Sequence, residues 1–231
     1  MPRLRILQYL LSFVGFCLLS CPLTALEKKV FVIGDSISMD YGPFLEELFA
    51  EGITYDRKRN EGKTKLDDPR GGNGRDSNEV LVYLESRAGS EGIDADVLLL
   101  NCGLHDIKRD VATRKFQVSP EKYRENLEKI LQCVRGMSLE VIWIRTTEVN
   151  EEVHLDPKRM EFFRYNSDVV LYNDIADEVM SQNDVPVIDL YGFSRKFSKE
   201  GIRDHVHYYP RYSELQAAYI VGNVEALLLK K

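Results

Sequence analysis

The chain has 231 residues, 44% of them hydrophobic and 29% charged, with a formal net charge of -6. That size and composition suit one globular domain with a full core and leave little room for a second. The acidic balance, with no long basic run, excludes nucleic acid as an expected partner, because phosphate neutralisation needs clustered Lys and Arg.

Arg3 and Arg5 precede an apolar stretch from Ile6 to about Leu19, and Ser20-Cys21-Pro22-Leu23-Thr24-Ala25 follows. A basic start, a short apolar run and a small-residue end predict a secretory signal over residues 1–25, cleaved after Ala25. The run is short for a membrane span, which needs about 20 residues. A second reading takes Leu18-Leu19-Ser20-Cys21 as resembling a bacterial lipobox, with Cys21 carrying a lipid anchor. Export as periplasmic or secreted protein leaves a domain over residues 26–231 with two cysteines, Cys102 and Cys133. Both are expected to be buried thiols rather than a bridge, and neither has metal-ligand spacing.

Val30-Phe31-Val32-Ile33 predicts a buried strand that stops on Gly34-Asp35-Ser36. Tyr41 to Phe49 reads as a helix with Phe44, Leu45, Leu48 and Phe49 on one face. A polar loop over roughly residues 56–75 follows, long enough inside a compact domain to suggest a functional role. It offers Arg57, Lys58, Arg59, Arg70 and Arg75. Ser77 is the expected cap of a helix striped by Val80, Leu81 and Leu84. Val97 to Leu100 is a second buried strand. Ser119-Pro120 opens a helix with Tyr123, Leu127, Ile130, Leu131 and Val134 on its apolar face. Val141 to Ile144 is a strand, and Phe162, Tyr165, Val169, Tyr172, Ala176 and Val179 step as a long amphipathic helix. Val185 to Ile188 is a short strand, and a final helix runs from about Tyr212 to Leu229.

Strands apolar on both faces and alternating with helices imply an α/β fold, a mainly parallel sheet covered on two sides. Ligands in such sheets bind beyond the carboxyl ends of the strands. Ser36 falls at one such end, and Asn101-Cys102-Gly103-Leu104-His105-Asp106 at another. A serine that attacks a carbonyl needs a base, and the base needs an orienting group. Of the four histidines, His154 lies in a charged stretch and reads as a surface residue. In Asp204-His205-Val206-His207, an Asp three residues before a His lets both side chains converge from one turn.

Gly-Asp-Ser after the first strand, a glycine-rich loop before a main helix, Gly-x-His-Asp after a central strand and Asp-x-x-His before the last helix together resemble the SGNH (GDSL-type) hydrolases. The resemblance runs from about Val30 to the last helix. It implies a three-layer, flavodoxin-like α/β/α sandwich and a serine esterase that needs no metal and no organic cofactor. It makes Ser36 the nucleophile, His207 the general base and Asp204 its orienter. The Ser36 N–H and the N–H of a glycine, Gly74 or the competing Gly72, would bind the oxyanion. Where the family usually has Gly-x-Asn-Asp, this chain has His105, as in a bacterial subgroup. A neutral imidazole can donate to an oxyanion, and Asn101 is the other candidate for that task. The implied substrate is a carbohydrate ester or another hydrophilic ester. A lysophospholipid or thioester, acyl transfer to a sugar hydroxyl, and a binding protein that has lost catalysis are the alternatives.

Overall fold

The computed structural model describes residues 27–59, 71–156, 158 and 160–229. The expected signal over residues 1–25, the lipobox at Cys21 and Arg70 lie outside the described residues. Among the described residues, no helix is long and apolar enough to cross a membrane.

Five strands form one parallel sheet: β1 (Lys28–Ile33), β2 (Ile53–Arg57), β3 (Val97–Leu100), β5 (Glu140–Ile144) and β7 (Val187–Ile188), in the order β2-β1-β3-β5-β7. A separate antiparallel ribbon pairs β4 (Arg109–Asp110) with β6 (Phe162–Phe163). The helices are α1 (Ser36–Leu48), α2 (Ser77–Ala88), α3 (Pro120–Gly136), α4 (Glu151–His154), α5 (Asn166–Gln182), α6 (Leu190–Ser194), α7 (Ser198–Gly201) and α8 (Pro210–Leu228).

The strand order decides which helix covers which face. From β1 the chain moves one way to β2, then back past β1 to β3, β5 and β7. Right-handed crossovers therefore put α1 on one face and α2, α3 and α5 on the other. The packing agrees: α1 lies against α8, α2 against α3, and α3 against α5. All four β3 side chains are buried, as a central strand covered on both faces requires. The reversal of direction between β1 and β3 opens a crevice at their carboxyl ends, the usual ligand position in such sheets.

Several local expectations change. Asp56 and Arg57, at the start of the expected loop, instead end β2, an edge strand whose residues alternate between half-buried and exposed. Helix α1 begins at Ser36, not Tyr41, and continues through Pro43. Its buried face is Ile37, Tyr41 and Leu45, whereas Leu48 is exposed. The Asp35 cap starts the helix five residues earlier than the apolar pattern suggested, and the buried stripe carries it past Pro43. Asp76, not Ser77, caps α2. Phe162 belongs to the β4–β6 ribbon, and α5 starts only at Asn166. Cys102 is buried and Cys133 half-buried, and both are free thiols.

Candidate active site

Ser36 is the first residue of α1, directly after β1. The Asp35 carboxylate accepts the Ile37 N–H at 2.9 Å and so caps the helix. The turn is tight: a Cβ on Gly34 would lie 2.7 Å from the Ser38 Cβ, so glycine is required there. As a first-turn residue, Ser36 has an N–H with no acceptor inside the helix, at its positive end. A hydroxyl and a helix-end N–H donor therefore come from the same residue.

The partner of Ser36 arrives from the loop before α8. The Ile202–Tyr208 bridge and the Arg203 N–H bond to the His207 carbonyl, 2.7 Å, close that loop into a compact turn. Asp204 does two jobs in it. Its Oδ1 accepts the Val206 and His207 N–H groups at 2.9 and 2.8 Å, and its Oδ2 faces His207 Nδ1 at 2.9 Å. Burial works against the Asp204 charge, but those two backbone donors and the His207 ring bring its pKa down to about 2. An ionised carboxylate can only accept, so Nδ1 carries the imidazole proton and Nε2 keeps its lone pair. That lone pair meets the Ser36 hydroxyl at 2.8 Å. Hydroxyl, imidazole and carboxylate thus form a continuous chain from residue 36 to residue 204.

The loop after β3 reaches the same place. Gly103 holds φ at +136°, and a Cβ there would lie 2.9 Å from the Thr146 Oγ1. The next residues, Leu104 and His105, line the cavity beside Ser36. Burial, and after it the charges of Arg164, Lys108 and Arg75, hold the His105 pKa well below its usual range. The ring is therefore neutral. Its Nδ1 is sealed and meets no partner among the described residues. A sealed lone pair is tolerated better than a sealed N–H, which favours the tautomer with the proton on Nε2. His105 is thereby prepared as a donor.

Two of the other residues expected to bind the oxyanion, Gly74 and Asn101, have those donors engaged elsewhere. The Gly74 N–H donates to the Gly34 carbonyl at 2.7 Å and ties its loop to the nucleophile turn. The Gly72 carbonyl accepts from Arg57 Nη2 at 3.2 Å, a contact that holds the loop and does not involve the Gly72 N–H. The Asn101 amide donates to the Ile144 carbonyl at 2.8 Å and to Thr146 Oγ1 at 3.1 Å. Both Asn101 donors are therefore spent on β5 and its outgoing loop. Asp106 accepts from the Ser77 N–H at 2.9 Å and from its hydroxyl at 2.5 Å, which joins this loop to α2. Burial raises the Asp106 pKa to about 7.

His154 corrects the surface reading: it is fully buried. Its Nε2 lies 3.2 Å from His205 Nδ1 and 3.5 Å from Arg164 Nη1. Asn150, which caps the short helix α4, donates its N–H to the His205 carbonyl at 2.9 Å. This segment therefore braces the loop of Asp204 and His207 from behind. Burial, followed by the Arg164 charge, brings His154 to about 3 and His205 to about 4.

A cavity of about 200 Å³ opens above Ser36, with His105, His205, His207, Phe162 and Arg164 on its walls. Among the described residues, the cations expected from the loop of residues 56–75, Arg57, Lys58, Arg59 and Arg75, are not on the cavity wall. Arg57 donates to the Ser38 carbonyl at 2.7 Å, and Lys58 is buried against the Gly71 carbonyl. The cations on the cavity wall, Lys108 and Arg164, were not foreseen. Only an Arg inside the apolar run Phe162-Phe163-Arg164-Tyr165 could have pointed to one. Another cavity, about 240 Å³, lies by the amino ends of β5 and β7, away from these groups. Among the described residues, the metal-type donors that cluster are Asp204, His205 and His207. Two of those three already serve Ser36, so a cation there would compete with the hydroxyl for His207.

No family model matches the chain, and neither does any curated protein. Solved structures do. A lipase/acylhydrolase from Enterococcus faecalis aligns with a TM-score of 0.62 at 19% identity, over 86% of this chain and 96% of its own. The acetyl xylan esterase AlAXEase gives 0.60 at 16%, over 85% and 99%. The psychrotrophic esterase EstA from Pseudoalteromonas sp., solved inhibited by monoethylphosphonate, gives 0.60 at 12%, over 87% and 98%. The fold is thus the one that GDSL-type lipases, acylhydrolases and esterases share.

Proposed function

We propose that the chain is an exported serine ester hydrolase that works through an acyl-enzyme. The observation that carries this reading is the continuous hydrogen-bonded chain from Ser36 Oγ to His207 Nε2, 2.8 Å, and from His207 Nδ1 to Asp204 Oδ2, 2.9 Å. Ser36 attacks the acyl carbonyl while His207 takes its proton. Asp204 keeps the imidazole in the right tautomer and stabilises its charged form. The oxyanion is held by the Ser36 N–H at the head of α1 and by His105. His207 then returns the proton to the leaving alcohol, and water, activated by the same base, releases the acid.

The substrate reading is a short acyl group on a hydrophilic carrier, such as an acetylated carbohydrate. The cavity of about 200 Å³ supports it, because drug-sized ligands occupy sites of about 300–1,000 Å³. A lysophospholipid or fatty thioester would need a longer apolar groove. The likeness in fold to an acetyl xylan esterase points the same way. Export, by a cleaved signal or by lipid attachment at Cys21, rests on the amino-terminal sequence alone.

Replacing Ser36 with Ala tests the reading. Hydrolysis of short-chain aryl esters should fall to the background rate, and a serine-directed phosphonate should no longer label the protein. Equal rates in the two proteins would refute it, and failure of the phosphonate to label the unaltered chain would favour a binding protein.

A further inference from the structure

Three imidazoles, His105, His205 and His207, stand on the cavity wall beside Ser36. In the proposed reaction His207 is the base and His105 an oxyanion donor, which leaves His205 without a task. Its placement is nonetheless specific. The His205 carbonyl accepts the Asn150 N–H at 2.9 Å, and the preceding carbonyl, of Asp204, accepts from the Asn150 amide at 3.3 Å. The His205 Nδ1 faces His154 Nε2 at 3.2 Å, with the two rings edge to face and 4.9 Å between centroids. His154 is fully buried. An imidazole in that place costs free energy that an apolar side chain would not. Its contact with His205 gives it a use, because a binding side chain is held in place by the groups packed behind it.

With Nδ1 engaged, Nε2 is the ring nitrogen left for the cavity. It is neither sealed from solvent nor hydrogen-bonded among the described residues. Burial, followed by the Arg164 charge, keeps the ring neutral. One hydrogen occupies the contact with His154, on one ring or on the other. If His205 Nδ1 carries it, His205 Nε2 accepts; if His154 Nε2 carries it, His205 Nε2 donates. A hydroxyl donates and accepts, so it suits either arrangement, whereas an ether suits one and an alkyl group neither.

The neighbouring ring places that hydroxyl on the substrate. His207 returns the proton to the leaving alcohol, so the alcohol side of the ester lies beside it. The His205 and His207 ring centroids are 5.7 Å apart. A hydrogen bond of about 3 Å and the two carbons of a vicinal diol span that separation. We infer that His205 is a specificity residue whose Nε2 hydrogen-bonds a hydroxyl vicinal to the scissile ester, that the substrate is a monoester of a vicinal diol, and that His154 is the positioning residue behind it. The inference rests on the ester-hydrolase reading for the ester, but recognition of the hydroxyl can be measured without turnover.

Two acetates of nearly equal size, 2-hydroxyethyl acetate and propyl acetate, differ by that hydroxyl. After each kcat/KM is divided by the ester's own hydroxide rate, the hydroxyl ester should lead by about threefold to tenfold, as one neutral hydrogen bond provides. His205→Leu should move the ratio towards one, and His205→Gln, whose amide can donate and accept, should retain more of it. His154→Leu leaves the cavity wall intact and should lower the ratio as well. If that buried variant fails to fold, half-buried His205 carries the test by itself. In parallel, both esters are titrated into the Ser36→Ala protein, with and without His205→Leu, and affinity is read from the His207 ring resonances. The inference stands if turnover or affinity favours the hydroxyl ester and the preference falls in His205→Leu. It is overturned if neither favours that ester, or if His205→Leu leaves the preference intact. An unmoved ratio in folded His154→Leu would overturn the positioning role. Brisk hydrolysis of both esters with no hydroxyl preference would sink this inference alone. Preferred binding of 2-hydroxyethyl acetate with no turnover of any ester would sink the ester-hydrolase reading alone.

Discussion

Replacing Asp204 with Asn alters one atom of the site and should abolish most of its chemistry. Asp204 Oδ1 accepts two backbone N–H groups at 2.9 and 2.8 Å, while Oδ2 accepts the His207 Nδ1 proton at 2.9 Å. The asparagine can place its amide in two ways. With oxygen at the backbone position, its NH₂ points at His207 Nδ1. With the amide flipped, the NH₂ meets two N–H donors and both of their hydrogen bonds are lost, at about 1 kcal/mol each before any donor–donor repulsion. The first placement therefore wins. A donor opposite Nδ1 forces the ring proton onto Nε2, which lies 2.8 Å from the Ser36 hydroxyl and can then no longer accept. The equivalent tautomer error in a serine triad costs about 10,000-fold in kcat, or about 5.4 kcal/mol of transition-state stabilisation. The capping bonds survive, so the melting temperature should move by only a few degrees. The assay is kcat on an aryl acetate alongside a thermal melt. A variant with an unchanged melt and activity within about tenfold of the parent would refute the proposed roles of Asp204 and His207.

Two further outcomes follow from the same geometry. Replacing His105 with Ala should lower kcat by about 100- to 1,000-fold with little change in KM, the usual loss for one oxyanion donor; His105→Asn, whose amide can donate, should recover most of it, and equal rates in all three proteins would rule out the donor role. The second concerns acid. His154 and His205 fall from 6.5 in the unfolded chain to about 3 and about 4 in the fold, so the unfolded state binds protons first and stability drains away as pH falls from about 6.5 towards 3. Asp204, depressed from 3.8 to about 2, adds a loss that begins at the acid end of that window. Asp106, raised from 3.8 to about 7, has the opposite sign and costs stability as pH rises through the same range. His154→Gln should therefore flatten the acid limb of the urea midpoint against pH, and parallel profiles for the two proteins would contradict the assignment.

The hydrogen-bonded triplet of Ser36, His207 and Asp204 was readable because each member sits in a short local signal. Gly34-Asp35-Ser36 ends an apolar strand, and Asp204 with His207 shares one turn whose spacing alone lets the side chains meet. His105 was readable in position, and its neutral state follows from burial that a sequence does not report. The assignments at Asn101 and Gly74 required coordinates, because what matters is whether a donor is already spent. Asn101 turned out to hold β5, and Gly74 to hold the nucleophile turn. The last residues of edge strand β2 and the early start of α1 differ from expectation for a related reason. Charged residues on an edge strand, and the Gly-Asp-Ser turn from which α1 springs, look like loop until neighbouring elements are seen to stabilise them.

Local periodicity determined the succession of strands and helices and hence the parallel sheet, because a chain segment chooses its element largely by which face it can bury. Chain order alone could not show that Arg164, between β6 and α5, stands beside Ser36 at the end of β1, or that His154 is buried behind His205. Those neighbours are set by the crossover connections and by the β4–β6 ribbon. The tertiary structure thus decided the charge and solvation of the site, because electrostatics depends on distance in space and not on separation along the chain.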